Sequence, residues 1–199
     1  NEEGYSAYAK PSDSELSANA NAETIKVQGE AYSYTNSQTL FPTYDRGNYL
    51  TEPSHPTKQR YNTVGDGTWD NSGQSITWEL DVETAGYYKV NIKARQNELR
   101  GLYSNRRLYI DGEVPSDAFA QIKFYYDDDW ISVVPEDDNG DPAYLYLDAG
   151  KHELTLECIP GEIGESMRRL DNIVYVANQY YMQILMITGP SPDKYTDYY

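Results

Sequence analysis

The stretch Ser75-Ile-Thr-Trp-Glu-Leu-Asp-Val82 decides the fold class, because apolar and polar side chains alternate along its whole length. One face carries Ile76, Trp78, Leu80 and Val82, and the other carries Thr77, Glu79 and Asp81. Successive side chains of a β-strand point to opposite faces of a sheet, so this pattern predicts a strand with one buried face. Trp78 is then predicted to be a core residue.

A second alternating stretch follows the connection Thr84-Ala85-Gly86. Its inward face would carry Tyr88, Val90, Ile92 and Ala94, and its outward face Lys89, Asn91, Lys93 and Arg95. Two strands joined by a short connection that contains glycine are typical of a hairpin. We therefore predict that the two stretches pair as an antiparallel hairpin.

Further short strands are predicted along the chain, and no stretch shows a sustained apolar period of 3.6 residues. Arg107 to Asp111 alternates and ends in Asp111-Gly112, a pair that forms tight turns because glycine accepts positive φ. Later candidates are Tyr144–Leu147, the strand that contains Cys158, and Asn172–Val176. Seven or more such strands predict an all-β fold, a jelly-roll-type β-sandwich of two antiparallel sheets.

The length of 199 residues suits one domain with tails. Residues 1–21 contain few large apolar side chains, so we predict a polar leader or linker there. The sandwich is predicted over residues 22–187, and residues 188–199 form a tail or the start of a further domain.

The net charge of −16 disfavours nucleic acid and anionic membrane surfaces as partners, because they carry charge of the same sign. The apolar run at 180–187 is far shorter than the ~20 residues that span a bilayer. Cys158 is the one cysteine, so no internal disulfide forms, and its phase with Leu154 and Leu156 predicts a buried thiol.

No catalytic motif is evident. His55 and His152 lack the partner pattern of a catalytic dyad or a zinc site, and no serine lies in a nucleophile motif. With 32 acidic residues, a carboxylate pair at glycosidase spacing would occur by chance. We expect a protein that is not an enzyme.

Aromatic side chains on loops are the candidates for ligand binding, since an aromatic ring stacks on the apolar face of a sugar. Trp69 lies in a loop, where it either binds ligand or plugs the end of the sandwich. Trp130 follows the aromatic and acidic cluster 125–129, and it either forms a platform or belongs to a half-buried strand. The predicted ligand-binding residues are Trp69, Trp130, Tyr126, Asn97, Arg100 and Tyr103.

Four arginines lie close together in an otherwise acidic chain, at positions 95, 100, 106 and 107. A guanidinium group suits the carboxylate of a uronate or sialate. The alternative is that these arginines pair with neighbouring carboxylates and fix the loop between Gln96 and Ser104.

The order of the strand motifs resembles galactose-binding-like carbohydrate-binding modules of families six and thirty-five. The motifs are Gly73-Gln-Ser-Ile-Thr-Trp-Glu-Leu-Asp-Val82, Ala85-Gly-Tyr-Tyr-Lys-Val90, Arg106-Arg-Leu-Tyr-Ile-Asp-Gly112 and Leu147-Asp-Ala-Gly-Lys-His-Glu-Leu154. The resemblance spans roughly residues 24–178. It implies non-catalytic binding of an oligo- or polysaccharide by a secreted or cell-surface protein.

The C-terminal segments Gln183-Ile-Leu-Met-Ile-Thr-Gly-Pro190 and Pro192-Asp193 resemble the exit of such a module embedded in extracellular solute-binding lipoproteins of sugar transporters. That likeness implies further domains in a longer parent chain.

The resemblance also implies a structural calcium ion, with Gln28, Glu30 and Asp171 at the matching positions. Gln28 stands where these modules carry an acid, which lowers the expected affinity, because its carbonyl oxygen is uncharged. The alternative is that Glu30 and Asp171 are ordinary polar residues at strand ends. The acidic run Pro135–Asp141 fails the spacing of an EF-hand and is predicted to be a turn.

Two other functions remain open from the sequence. The chain could be a structural or interaction domain of a solute-binding protein with no glycan site of its own. It could also be a glycan-active enzyme, which would need a cleft with two carboxylates of different pKa.

Overall fold

The computed structural model describes residues 4–18, 24–45, 51–53 and 59–191, with the side chains at 163 and 165 left aside. It divides into two compact units, Asn1–Ile159 and Pro160–Tyr199. His55 and the tail from residue 192 lie outside the described residues. Among the described residues, the strands lie in the first unit and one long helix lies in the second.

Eleven strands occur in the described part of the first unit. They are β1 Tyr34–Thr35, β2 Pro42–Thr43, β3 Thr63–Val64, β4 Ser75–Val82, β5 Gly86–Lys89, β6 Ile92–Ala94, β7 Tyr103–Ile110, β8 Ile122–Tyr125, β9 Ile131–Val133, β10 Tyr144–Leu147 and β11 Gly150–Ile159. Helix α1 spans Asp13–Ala18, a 3-10 helix spans Asp117–Phe119, and helix α2 spans Gly161–Thr188 in the second unit.

One layer of the fold is a five-stranded antiparallel sheet in the order β1-β4-β11-β7-β8. The central pairing places Gly150 opposite Val82 and Glu157 opposite Ser75. Strand β7 lies on the other side of β11, with Leu154 opposite Ile110. The middle of the sheet is therefore built by three long strands.

A second layer consists of antiparallel pairs, β5 with β10 and β6 with β9. The core lies between the two layers, because buried side chains of the five-stranded sheet pack with those of β10 and with half-buried residues of β5 and β6. Its members include Ile76, Trp78, Leu108, Phe124, Leu145, Leu147 and Leu156. This arrangement confirms the predicted all-β sandwich of antiparallel sheets.

Most individual strand predictions agree with the structure. Strand β4 has the predicted bounds, and Trp78 is buried at 7% exposure while its indole N–H donates to the Gly29 carbonyl at 3.0 Å. Strand β10 also matches its predicted range. Cys158 is buried at 6% exposure, as its phase in β11 predicts.

The predicted hairpin between the first two stretches is wrong. Strand β4 pairs with β1 and β11, whereas β5 pairs with β10 in the other layer. The connection at 83–85 thus carries the chain from one layer to the other. Alternation predicts which face of a strand is buried, and it contains no information about which strand lies beside it.

The Asp111-Gly112 pair forms the predicted tight turn after β7. Both residues have positive φ, 52° and 84°, and Ile110 and Glu113 bond each other across the turn. Two consecutive residues with positive φ define the two-residue turn whose twist matches that of the flanking strands. The Asp111 carboxylate accepts hydrogen bonds from the Glu153 backbone N–H at 2.8 Å and contacts His152 Nδ1 at 2.6 Å.

The pH dependence of stability is predicted from this contact. The Asp111 carboxylate raises the pKa of His152, and the backbone N–H of Glu153 and the His152 ring lower the pKa of Asp111 although its partial burial opposes this. The ion pair's contribution to the free energy of unfolding is therefore fully present below the pKa that His152 has in the unfolded chain. It is lost as the pH rises through the raised pKa of His152 in the folded protein. We expect His152→Gln to cost up to about 1 kcal/mol more at pH ~5.5 than at pH ~8.5. Urea denaturation at both pH values measures this difference, and an equal cost would contradict it.

The acidic run at 135–141 is a turn, as predicted. The Asp137 carboxylate accepts the backbone N–H groups of Asn139 and Asp141, both at 2.9 Å. These donors lower the pKa of Asp137. The Asp137 side chain therefore stabilises the backbone of the turn in which it lies.

The N-terminal leader contacts the sandwich at several points. The Tyr8 hydroxyl accepts the Tyr144 backbone N–H at 3.0 Å, and the Tyr8 backbone N–H donates to Asp117 at 2.8 Å. Lys10 forms an ion pair with Asp141 at 2.6 Å. Residues 5–10 therefore belong to the packed surface of the first unit.

The prediction of a strand at Asn172–Val176 is wrong, because these residues lie in helix α2. A short apolar run cannot be assigned to strand or helix by periodicity alone. A strand also needs a partner, whereas a helix satisfies its backbone groups within the segment. Among the described residues, no helix meets the length and apolarity that crossing a membrane requires.

Candidate functional site at the loop end

Two loops of the first unit are joined by backbone hydrogen bonds. The Asp127 N–H donates to the Gln96 carbonyl at 2.9 Å, and the Tyr126 N–H donates to the Leu102 carbonyl at 3.2 Å. The Gln96 side chain also accepts the backbone N–H groups of Glu98 and Leu99. These bonds fix the loop 96–102 against the loop 126–130.

Trp130 lies at the end of the second loop, directly before β9, and it is half-buried. Its indole N–H donates to Asp45 Oδ2 at 2.8 Å. The Arg95 guanidinium lies 5.3 Å from the centre of the indole ring and 3.2 Å from the same Asp45 oxygen. We call Asp45, Arg95 and Trp130 the loop-end triad.

The loop-end triad is held by a buried amide. The Asp45 backbone N–H donates to Asn62 Oδ1 at 2.8 Å, and Asn62 Nδ2 donates to the Asp45 carbonyl at 3.1 Å and to Thr51 Oγ1 at 3.0 Å. The side chains of Arg95 and Asp45 are 23% and 12% exposed. Buried hydrogen bonds of this kind restrict side-chain rotation, so the triad is set before a ligand arrives.

The chemistry of the triad suits recognition of a polar ring. Trp130 presents an amphipathic aromatic surface, Arg95 adds fixed donors, and the Asp45 carboxylate adds acceptors. A few polar groups around an aromatic residue are typical of small-ligand sites.

The structure places four other predicted residues near these loops. Asn97 and Arg100 are exposed on the loop 96–102. The Tyr126 hydroxyl donates to Asp128 at 2.8 Å, and this bond raises the pKa of Tyr126. Tyr103 begins β7, where its ring centre lies 5.4 Å from that of Tyr125. Asn97, Arg100 and Tyr126 therefore share the linked loops with Trp130, and their role in binding stays a prediction.

Trp69 has a different environment. It packs against the core, its indole N–H donates to the Gln74 carbonyl at 3.2 Å, and the Arg106 guanidinium lies 4.7 Å from its ring centre. Arg106 also donates to the Trp69 carbonyl at 2.8 Å, and burial lowers the pKa of this arginine. Of the two alternatives for Trp69, ligand binding or closing the end of the sandwich, these contacts favour the second.

The arginine cluster divides into separate environments. Arg95 pairs with a carboxylate, Arg106 is stacked on Trp69, and Arg107 lies 5.2 Å from the ring centre of Tyr5.

The sequence did not point to Asp45 or Asn62 as site residues, since Asp45 is 85 residues from its partner Trp130. Nothing in the local sequence marks such a pairing.

For the metal site, Glu30 is the informative residue. Its Oε2 atom is buried without a hydrogen-bond partner, and burial raises the pKa of its carboxyl group. Gln28 lies in the same turn, where its carbonyl accepts the Ala31 N–H at 3.0 Å. Asp171, predicted to precede the last strand, is instead exposed on helix α2 of the second unit. In the described part of the chain, no group of three or more His, Cys, Asp or Glu side chains could hold a metal ion.

Comparisons with known structures report modules of the class that the motifs resemble. A family 35 carbohydrate binding module from Clostridium thermocellum is 11% identical with a TM-score of 0.47, over 69% of this chain and 88% of that one. The "CBM35 from Cellvibrio japonicus Abf62" is 15% identical with a TM-score of 0.44, over 68% and 82%.

A larger protein is also similar in part. The cycloisomaltooligosaccharide glucanotransferase of a Paenibacillus species, solved with cycloisomaltoheptaose, is 18% identical with a TM-score of 0.47. The likeness covers 68% of this chain and 16% of the glucanotransferase. No protein-family model and no curated protein matches the chain.

Proposed function

We propose that this chain is a non-catalytic carbohydrate-binding module that takes an oligo- or polysaccharide at the loop end of its β-sandwich. The observation that carries the proposal is Trp130, a half-buried indole fixed by Asp45 and Arg95 on linked loops. Its ring stacks on the apolar face of a sugar, and the charged partners bond the sugar hydroxyls.

The role of the linked loops follows from the same geometry. Asn97, Arg100 and Tyr126 lie on the loops that carry or contact Trp130, and they extend the polar part of the surface. Tyr103 begins β7 directly after the loop 96–102, and in this proposal it also contacts the ligand. In this proposal the chain is an ancillary domain of a secreted or surface protein in polysaccharide capture or sugar import.

A glycan array tests the proposal. The full chain is applied to neutral and uronate-containing oligosaccharides, with and without a calcium chelator. We expect saturable binding to at least one glycan, confirmed by calorimetry with the free oligosaccharide and no release of shortened sugar on long incubation. Absence of binding across the array overturns the proposed function, and turnover of a bound glycan overturns its non-catalytic part.

We also propose that Glu30 binds a structural calcium ion. The support is its buried and unpaired Oε2 atom, since a carboxylate oxygen without a donor is satisfied by a cation. Gln28 in the same turn adds a carbonyl oxygen as a second ligand.

Calcium removal gives a testable prediction. We expect excess calcium to raise the melting temperature of the wild-type chain by a few degrees. Glu30→Gln keeps the shape of the side chain and should remove that dependence, whereas the control Glu153→Gln should retain it. An equal response of wild type and Glu30→Gln in differential scanning calorimetry would refute the site.

A second candidate function is an interaction domain without a glycan site. The observation that favours it is helix α2, most of whose large apolar side chains are exposed. They include Met167, Leu170, Ile173, Val174, Tyr175, Tyr180, Tyr181, Met182, Ile184, Met186 and Ile187. A blank glycan array together with self-association or partner binding through α2 would support this function instead.

A further inference from the structure

Helix α2 carries a continuous stripe of apolar side chains along one side. Apolar residues recur there at alternating intervals of three and four, at Leu170, Ile173, Ala177, Tyr180, Ile184 and Ile187. Val174 and Tyr181 widen this stripe. Arg168, Asn172 and Gln179 lie on the opposite face. Residues three and four apart are neighbours on a helix surface, and a stripe of this width is typical of a helix that packs against another element. We call these eight apolar residues the α2 stripe.

The α2 stripe is exposed over an area that matches a protein interface. Its seven large side chains are each between 51% and 64% exposed. At roughly 100 Å² of open surface for each side chain, they offer about 700 Å² per copy, close to the ~800 Å² per partner that a standard specific interface buries. An open apolar patch of this size marks an interaction site.

The charges of the helix indicate which partner it takes. Residues 172–188 contain no charged side chain, in a chain whose net charge is −16. Two copies of so acidic a chain repel each other, and an uncharged helix is a place where they approach without like charges meeting. A helix that lies on an anionic membrane carries lysine and arginine on its polar face, whereas Asn172 and Gln179 give the polar face of this segment amides. A second copy of this chain therefore fits the stripe better than a lipid surface.

The order of the stripe residues specifies how two copies pair. The facing pairs of an antiparallel dimer are Leu170 with Ile187, Ile173 with Ile184, and Ala177 with Tyr180. The smallest side chain of the stripe then lies against one of the largest. In a parallel dimer in register, Ala177 faces Ala177 and leaves a cavity, and Tyr180 faces Tyr180 and crowds the interface. The sizes of the side chains favour the antiparallel pair.

The electrostatics of the helix ends favour the same direction. The last turn of α2 contains no basic residue. Arg169 lies at the edge of the stripe, and antiparallel pairing places it beside the last turn of the second copy. The partial negative charge at a helix C-terminus attracts a cation there.

From these observations we infer that α2 is a dimerisation helix, which pairs antiparallel with α2 of a second copy of this chain through the α2 stripe. The contact is isologous, because the same surface of both copies forms it. The inference is independent of the proposed function, since α2 contains no residue of the loop-end triad.

Sedimentation velocity of the full chain, from about 1 to about 300 μM, tests the inference, and we expect a reversible equilibrium of monomer and dimer. Ile173→Glu places a charge in the stripe and should weaken dimerisation at least about 100-fold. The control Gln179→Glu adds the same charge on the opposite face and should leave the dimer affinity within about threefold of wild type.

An exchange of two residues tests the antiparallel contact. Tyr180→Ala places alanine opposite alanine and should weaken the dimer at least about tenfold. The double variant Ala177→Tyr with Tyr180→Ala again places a tyrosine opposite an alanine, so its affinity should return to within about threefold of wild type. Far-UV circular dichroism of each variant measures the helix content.

The outcomes decide the inference without reference to glycan binding. A chain that stays monomeric at the highest concentration, or that forms larger open assemblies, overturns it. Equal dimerisation of Ile173→Glu and wild type, or equal weakening by Ile173→Glu and Gln179→Glu, also overturns it. A double variant that dimerises no better than Tyr180→Ala overturns the antiparallel pairing. If Ile173→Glu loses helix content, the exchange variants decide the result.

Discussion

Replacing Trp130 with alanine is expected to abolish measurable glycan binding at the loop end, a loss of at least about 30-fold in affinity. The indole is the largest apolar surface of the loop-end triad, and its N–H holds Asp45 while its ring holds Arg95. The substitution therefore removes the stacking surface and releases both charged partners. Calorimetry with the best glycan of the array measures the effect.

Two further variants identify which property of Trp130 matters. Trp130→Phe keeps a ring without the N–H donor, so we expect an intermediate loss of about fivefold. Asp45→Asn keeps the acceptor oxygen and removes the charge that pairs with Arg95. If Trp130→Ala binds as tightly as wild type while folded by circular dichroism, the loop end is not the binding site.

Replacing Trp69 with alanine is expected to lower the free energy of unfolding by about 3 kcal/mol and to leave glycan affinity within about twofold of wild type. The ring packs on the core and covers the Arg106 guanidinium, and the change leaves a cavity beside a half-buried cation. Guanidinium chloride denaturation measures the stability, and calorimetry measures the binding.

A conservative variant and an exposed control complete this experiment. Trp69→Phe retains the packing and loses the bond to the Gln74 carbonyl, so we expect a cost of about 1 kcal/mol. Tyr61→Ala removes a tyrosine that is 65% exposed and should change stability by less than about 0.5 kcal/mol. A stable Trp69→Ala protein that no longer binds glycan would restore Trp69 as a ligand-binding residue.

The sequence predicted those parts of the fold that depend on local pattern. Alternation around Trp78 and Cys158 located two long strands and their buried faces, because side-chain direction in a strand follows from position alone. The Asp111-Gly112 turn was predictable for the same reason, since few residues accept positive φ.

Features that depend on distant partners were not predictable. The connection at Thr84-Ala85-Gly86 is as short as a hairpin turn, yet it joins two layers. At Asn172–Val176 the apolar run is compatible with strand and helix alike. Strand pairing and the choice between these conformations are decided by tertiary contacts, which a local pattern does not contain.

In the candidate site, too, only the residues with a local sequence signal were predictable. Trp130 was identifiable as an aromatic residue among acids, but Asp45 and Asn62 carry no local signal. The two environments open to Trp69 were separable only through its contact with Arg106. Long-range partners therefore decide whether a loop tryptophan binds ligand or closes the fold.

Cys158 gives the chain a practical advantage for labelling. Its thiol is buried, accepts a hydrogen bond from Arg106 at 3.4 Å, and has a pKa raised by burial, so little reactive thiolate is available at neutral pH. A cysteine introduced at exposed Asn139 would then react alone with maleimide reagents. The native sequence can thus be attached to a surface or a fluorophore at one chosen point without first removing its own cysteine.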